Sequence, residues 1–258
     1  MRRDGLSLIV GWTMMAMILP LLFSFIITWW LDGFTLAFKS FMLPIFLSGI
    51  IGTLLLSVGV RSDTTERLRD REAFAAVALA WPVAVLIGSF PFWLGGVFHG
   101  PFTDGSTMID IARGFVNSWF ESMSGFTTTG ATVIEHRMSP NCIPGTTPDC
   151  INAQPQGILI WRSLTQWLGG MGIIMLGLML LSRVLGGGMA LARAELTGPS
   201  LSRLRPKLQE TALALWTIYI LLTALEIIAL FFIGDLSMFD AFNCLLYTSP
   251  SPRDTNES

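Results

Sequence analysis

The sequence predicts an all-α polytopic membrane protein, and three observations carry that prediction. Of its 258 residues, 52% are hydrophobic and only 13% charged, where an ordinary soluble domain is about 25% charged. Mean hydropathy is +0.61, and Phe (18), Met (13) and Trp (9) far outnumber Tyr (2). A soluble core of this size could not hide so much apolar surface. The apolar residues are also gathered into long runs, each too long for a buried strand, and helices are the default in lipid because open sheet edges are not tolerated there. A net charge of −2, three cysteines and the lack of polar low-complexity bulk exclude a nucleic-acid binder, a disulfide scaffold and a disordered chain.

Taken in order, the runs able to cross a bilayer are Leu6–Leu31, Phe41–Val60, Ala73–Phe98, Gly157–Leu185 and Thr211–Gly234, against a requirement of about 20 helical residues. The first is too long for a signal-peptide core and has no small-residue cleavage site, so it reads as a retained span. Basic residues set the orientation. Arg2, Arg3, Arg61, Arg67, Arg69, Arg71, Arg183, Arg193, Arg203, Arg205 and Lys207 fall on one side, eleven in all; Lys39, Arg113 and Arg137 fall on the other. The positive-inside rule then puts the N-terminus in the cytoplasm and the segment Gly100–Gln156 outside.

That external segment holds the most informative stretch, Ile109 to Glu135. Ile111, Phe115, Trp119 and Met123 recur every four residues, which predicts an amphipathic helix too short to span. Asp110 is its expected N-cap and Gly125 its expected stop. The run Phe126-Thr127-Thr128-Thr129-Gly130-Ala131-Thr132 follows. A short helix and then irregular polar backbone between two spans is the pattern of a re-entrant pore loop, tolerated at membrane depth only when buried in protein or lining a watery cavity. Such a strand can aim successive carbonyl oxygens at one axis and replace the water shell of an ion. Gly130 permits backbone geometry that a side chain would resist, and the helix directs its partly negative C-terminus toward the ion path.

The string FVNSWFESMSGFTTTGATVI (Phe115–Ile134) resembles the first pore loop of the Trk/Ktr/HKT superfamily of potassium transporters, most closely the TrkH/TrkG branch. The resemblance continues in WRSLTQWLGGMGIIML (Trp161–Leu176), GGGMALARAELTGP (Gly186–Pro199), ETALALWTIYILLTALE (Glu210–Glu226) and FDAFN (Phe239–Asn243). It implies four helix–pore loop–helix repeats around one pseudo-fourfold pore, with an extra helix pair in front. On that plan residues 1–72 hold the extra transmembrane pair and a cytoplasmic loop, and 73–185 the first repeat with its filter. Residues 186–210 form a cytoplasmic loop and 211–243 the first helix of a second repeat. Thr128, Thr129, Gly130 and Ala131 match the filter positions, with K+ as the transported ion, or Na+ as a second, and no organic cofactor. The resemblance further implies a bacterial inner membrane, surrounding lipid, a cytosolic nucleotide-binding TrkA-like regulatory subunit and a homodimer. It implies passive permeation, with no enzymatic chemistry and no nucleic acid. The remaining filter strands would lie beyond Asn243, so this chain by itself is expected not to conduct.

Other residues admit two readings. Glu121, on the short helix, either concentrates cations near the pore mouth or anchors the loop by hydrogen-bonding backbone. Glu226, within the fifth span, needs a partner or a cavity; Arg162 is one candidate partner and is equally able to snorkel to the outer interface. Gly169, Gly170, Gly172 and Gly177 form either a hinge or a close-packing face. The segment Gly186–Lys207 is either a docking site for the regulatory subunit or an ordinary basic loop. Cys142 and Cys150 are expected to bridge in an oxidising compartment, two free thiols being the alternative. His99 and His136 lack a spaced metal partner of the H-E-x-x-H kind and read as loop residues. An intramembrane enzyme would need a nucleophile–base pair or a metal cluster, and the sequence offers no such pattern. Finally, Cys244–Ser258 (CLLYTSPSPRDTNES) breaks from the preceding composition. Its codons can spell a transposase-type sequencing adapter, which is the expected origin of 244–258, a native Ser/Pro-rich linker being the alternative.

Overall fold

The computed structural model describes residues 3–60, 70–146, 149–172 and 204–234, with Phe239 and Asn243. Among them are six helices. α1 is Arg3–Asp32, α2 Phe34–Val60, α3 Asp70–Leu94, α4 Met108–Phe126 and α6 Leu204–Phe232; between the last two, α5 covers 156–172. Three helices are long and apolar enough to cross a membrane over Leu6–Asp32, Phe34–Gly59 and Leu213–Phe232, and Ala78–Leu94 of α3 is a shorter apolar helix. The chain divides into two compact units, Met1–Thr165 and Gln166–Ser258.

In the first unit, α1 and α2 form a hairpin joined by one residue, Gly33, whose φ of +96° reverses the chain where a side chain would be strained. This corrects the second span, which starts at Phe34 and not at Phe41. Nothing in Phe34–Ser40 breaks a helix, so α2 begins as soon as the turn is complete. Lys39 therefore lies on α2, its ammonium 5.6 Å from the Phe102 ring centroid. Phe25, Trp29 and Phe34 cluster at this end of the hairpin, Trp29 and Phe34 edge to face at 5.5 Å. Further along, Gly11 and Gly52 let the two helices cross closely: a Cβ on Gly11 would stand 3.1 Å from the Gly52 carbonyl oxygen, and one on Gly52 would stand 3.1 Å from Met15.

α3 meets α1, α2 and α4. It ends at Leu94 where the sequence suggested Phe98, because Gly95 and Gly96 follow and Gly96 turns the chain at φ +77°. α5 is fixed at its first turn by a residue far away in sequence. Asp32, at the end of α1, accepts hydrogen bonds from the amides of Gln156 (3.1 Å) and Gly157 (2.6 Å). A carboxylate is well placed there, at the partly positive end of a helix whose first amides have no internal partner. Gly157 lies so close to Thr28 that any side chain would collide with it. Trp161, fully buried, donates from Nε1 to the Gly88 carbonyl at 3.0 Å and meets Phe41 edge to face at 6.0 Å.

In the second unit, Trp167 stacks on Tyr219 at 5.3 Å and meets Trp216 edge to face at 6.0 Å. Its Nε1 donates to Thr223 Oγ1 (3.1 Å), and the Tyr219 hydroxyl donates to the Trp167 carbonyl (3.2 Å). α6 begins at Leu204, earlier than the expected Thr211. Pro206 falls in its first turn, where a missing amide proton costs nothing. Gly177, the segment Gly186–Lys207 up to Arg203 and the tail 244–258 lie outside the described residues.

Candidate functional site: the re-entrant loop

α4 is held at its start by a capping box. Thr107, not Asp110, is the N-cap, with φ −77° and ψ 164°. Its Oγ1 accepts from the Asp110 amide (3.3 Å), while Asp110 Oδ2 accepts from the Thr107 amide (3.1 Å) and hydroxyl (2.6 Å). Asp110 is thus the third helical residue of the box, the place where a carboxylate can reach back to the cap. These bonds from Thr107 hold its carboxyl below the ordinary value.

The four-residue apolar stripe does not define the buried face. Phe115 packs on Trp93 at 5.2 Å and on Phe90 at 6.4 Å, but Trp119 and Met123 are exposed. What α4 buries is Gly114, Ser118, Glu121, Ser122, Ser124, Gly125 and Phe126. Small residues let helices approach closely, and hydroxyls bond across the contact. Ser122 Oγ donates to the Val85 carbonyl at 2.7 Å. A Cβ on Gly88 would lie 2.6 Å from Phe126 Cε2. A side chain on Gly114 would run into the His99 carbonyl.

The helix stops in a Schellman motif that the sequence concealed. The Thr129 amide donates to the Ser124 carbonyl and the Thr128 amide to the Gly125 carbonyl, both at 2.9 Å. Such a motif requires a left-handed residue just past the cap, usually glycine. Here that residue is Thr128, with φ +54°, the one non-glycine with positive φ among the described residues. Gly125, the expected stop, is instead inside the helix. Gly130 follows at φ +72°, as its expected backbone freedom requires.

Beyond Gly130 the strand is tied down. Ser124 Oγ donates to the Ala131 carbonyl at 2.6 Å. Glu121 Oε1 accepts from Thr132 Oγ1 and from the Val133 amide, both at 2.7 Å. Its other oxygen, Oε2, accepts from Arg162 Nε at 3.0 Å, with both side chains almost wholly buried. Of the two readings of Glu121, loop anchoring is the one its geometry matches. Arg162 from α5 is its partner, a pairing the sequence did not identify, while Glu226 is exposed on α6. Burying the pair is tolerable because each charge meets the other and the carboxylate's remaining oxygen is saturated by donors.

Thr128, Thr129, Gly130 and Ala131 are consecutive in this anchored strand, Thr129 and Ala131 exposed and the other two half-buried. Thr128 (φ +54°) and Gly130 (φ +72°) both lie in the left-handed region, with Thr129 between them outside it. Thr127 and Thr129 hydroxyls meet at 2.8 Å beside it.

The loop that follows is closed by a Cys142–Cys150 disulfide. Asn141 Nδ2 reaches the Gly96 carbonyl and Gln154 Oε1, each at 3.0 Å. Gln154 Nε2 donates to Ser139 Oγ (3.0 Å) and the Cys150 carbonyl (2.8 Å). His99 is paired with Ser106 Oγ through Nδ1 at 3.0 Å. His136, read from sequence as a loop residue without a spaced metal partner, lies in a turn of this loop beside the two sulfurs.

A family model described as a cation transport protein, TrkH, matches residues 37–237. The chain is 36% identical to the Trk system potassium uptake protein TrkH of Salmonella typhimurium, over 87% of this chain and 39% of that protein. It is 36% identical to the protein of the same name from Halomonas elongata, over 92% of this chain and 42% of the relative. With the Trk system potassium uptake protein TrkG of Escherichia coli it shares 30% identity, over 68% of this chain and 30% of the relative. The chain thus spans about two fifths or less of the length of these curated relatives.

Proposed function

Because this chain belongs to the TrkH family of cation transport proteins, which are not enzymes, we propose that it forms part of a potassium uptake pathway and supplies one wall of its ion pore. The observation that carries this reading is the alternating backbone at Thr128 and Gly130, set in a strand anchored by Glu121 and Arg162. Carbonyls of Thr128, Thr129 and Gly130 would replace part of the water shell of K+. The Ala131 carbonyl is partly committed to Ser124, so its share in coordination is the smallest of the four. No covalent chemistry is needed. Transport is passive permeation through sites strong enough to dehydrate the ion and weak enough to release it.

An ion needs ligands on all sides, and the described residues contain one such strand. The other walls would come from the remaining length found in relatives. A single strand by itself leaves most of the coordination shell empty, which favours a second reading of the isolated chain as non-conducting. The basic-residue asymmetry supports a cytoplasmic N-terminus, in a bacterial inner membrane. The same reading includes a homodimer and a cytosolic nucleotide-binding TrkA-like ring as regulatory partners.

The test is ion uptake in cells that lack their own potassium uptake systems, with the chain expressed together with the remaining length its relatives possess. Gly130→Ser should lower K+ over Na+ discrimination, because a side chain disfavours φ +72°. An unchanged K+/Na+ uptake ratio would remove the filter assignment.

A further inference from the structure

We infer that the loop after the filter strand carries a latent site for Zn2+, built from His136, Cys142 and Cys150 and closed by the disulfide. Its ligand atoms already converge, all within 4.8 Å of one another. His136 Nδ1 lies 3.1 Å from Cys142 Sγ and 3.6 Å from Cys150 Sγ. With Zn–S about 2.3 Å and Zn–N about 2.0 Å, a nitrogen and a sulfur on one tetrahedral zinc stand about 3.5 Å apart. The imidazole therefore already keeps close to the spacing a shared ion demands from each sulfur. Only the sulfurs must separate, to about 3.8 Å. Their Cα atoms, 5.0 Å apart, allow this by side-chain rotation.

The scaffold around these atoms is held by hydrogen bonds besides the bridge. Gln154 joins Ser139 to the Cys150 carbonyl, and Asn141 joins Gln154 to Gly96 at the end of α3. Asp149 closes its own turn by accepting from the Ile151 amide and Asn152 Nδ2, each at 2.8 Å. Reduction would thus leave three donors facing one point, which is the preorganisation a metal site needs. Cys142 is buried, Cys150 half-buried and His136 exposed. Three protein ligands with one open side leave the fourth position for water, as in open zinc sites.

Opening the site is a two-electron step and requires a dithiol reductant. One reductant thiolate attacks a sulfur of the bridge to give a mixed disulfide. The second reductant thiol resolves it, leaving the reductant oxidised to its disulfide and Cys142 and Cys150 as thiols. Zn2+ then displaces one proton from each thiol and takes neutral His136 through Nδ1, with two protons released. The bridge is the closed state and the ion the open one, so occupancy records the redox poise outside the pore. This inference does not depend on the potassium reading.

The experiment uses the full chain carrying Cys244→Ser, in detergent, reduced anaerobically and freed of reductant. Co2+ serves as the spectroscopic probe and Zn2+ as its competitor. The expected result is one Co2+ per chain with thiolate-to-metal charge-transfer absorption, displaced by Zn2+, and no such band in the oxidised protein. His136→Ala keeps both cysteines and their bridge, and should weaken Co2+ by at least about tenfold. Cys142→Ser with Cys150→Ser should abolish the band. A reduced protein without the band, equal binding in the oxidised form, or unchanged affinity in His136→Ala would each overturn the proposal.

Discussion

The two ends of α4 face the same physical problem and meet it by opposite means. Every helix leaves its first amides and last carbonyls without internal partners. At the outer end, Thr107 and Asp110 satisfy each other and the helix within one turn, at an exposed surface. At the inner end the Ser124 and Gly125 carbonyls are taken by the next few amides. There the segment beyond is held by Glu121, itself paired with Arg162 41 residues further along the chain. The first end is local and wet, so it is free to fray and re-form by itself. The second is buried and ionic, so it holds only if α5 is in place. Anchoring by distant residues is thus concentrated at the segment that follows Thr127.

That contrast can be broken first at Arg162. Arg162→Met leaves the Glu121 carboxylate buried without its countercharge, and should destabilise by about 3–5 kcal/mol, read as a lower denaturation midpoint in detergent. Glu121→Gln should cost a similar amount, because it leaves the buried Arg162 guanidinium without its countercharge, even though an amide oxygen still accepts from Thr132 and Val133. Were Arg162→Met to melt like wild type, the inner end would be no better anchored than the outer one. Next comes Gly88→Ala, whose methyl would meet Phe126 at 2.6 Å and Ser122 Oγ at 2.7 Å. Overpacking of this kind costs about 1–3 kcal/mol, and the loss should appear in thermal unfolding.

Smaller effects sharpen the comparison. Thr107→Ala should cost about 1 kcal/mol as an ordinary lost cap, with no change in ion selectivity. Thr128→Gly should do the reverse. It relieves a left-handed β-branched residue for a net gain of about 0.5 kcal/mol, yet lowers K+ over Na+ discrimination in the complete transporter by loosening the strand. The smallest effect is a pH dependence at the outer end. The Asp110 carboxyl is lowered from 3.8 on folding, chiefly by the Thr107 hydroxyl and then its amide. Its contribution is therefore complete above 3.8 and disappears as pH falls through the folded value. Acid melting curves of wild type and Asp110→Asn should converge below that range and separate above it.

Legibility in the sequence followed the same division. Long apolar runs and a short amphipathic segment near Ile111–Met123 announce their helices, because periodicity is a local signal. Gly130 announces its own conformation for the same reason. The stop at Thr128 was hidden, since a Schellman motif prefers glycine and Gly125 stood nearby as a decoy. The buried face of α4 was hidden too. Its contacts depend on small residues and hydroxyls, whereas the apolar stripe marked by Trp119 and Met123 stays largely exposed. The Glu121–Arg162 pair and the Asp32 cap each join distant segments, and a single sequence carries no signal for which distant residues meet.

Asp32 has a consequence for the order in which the protein is made. Its two amide partners lie 124 and 125 residues downstream, and a ribosome adds about 5–20 residues per second. Asp32 therefore waits roughly 6–25 s after its own synthesis before the amides of Gln156 and Gly157 have been made. During that interval the Asp32 carboxylate stands beside the Gly33 turn without its two amide partners. The arrival of the first turn of α5 is then the step that ties the end of α1 to the rest of the first unit.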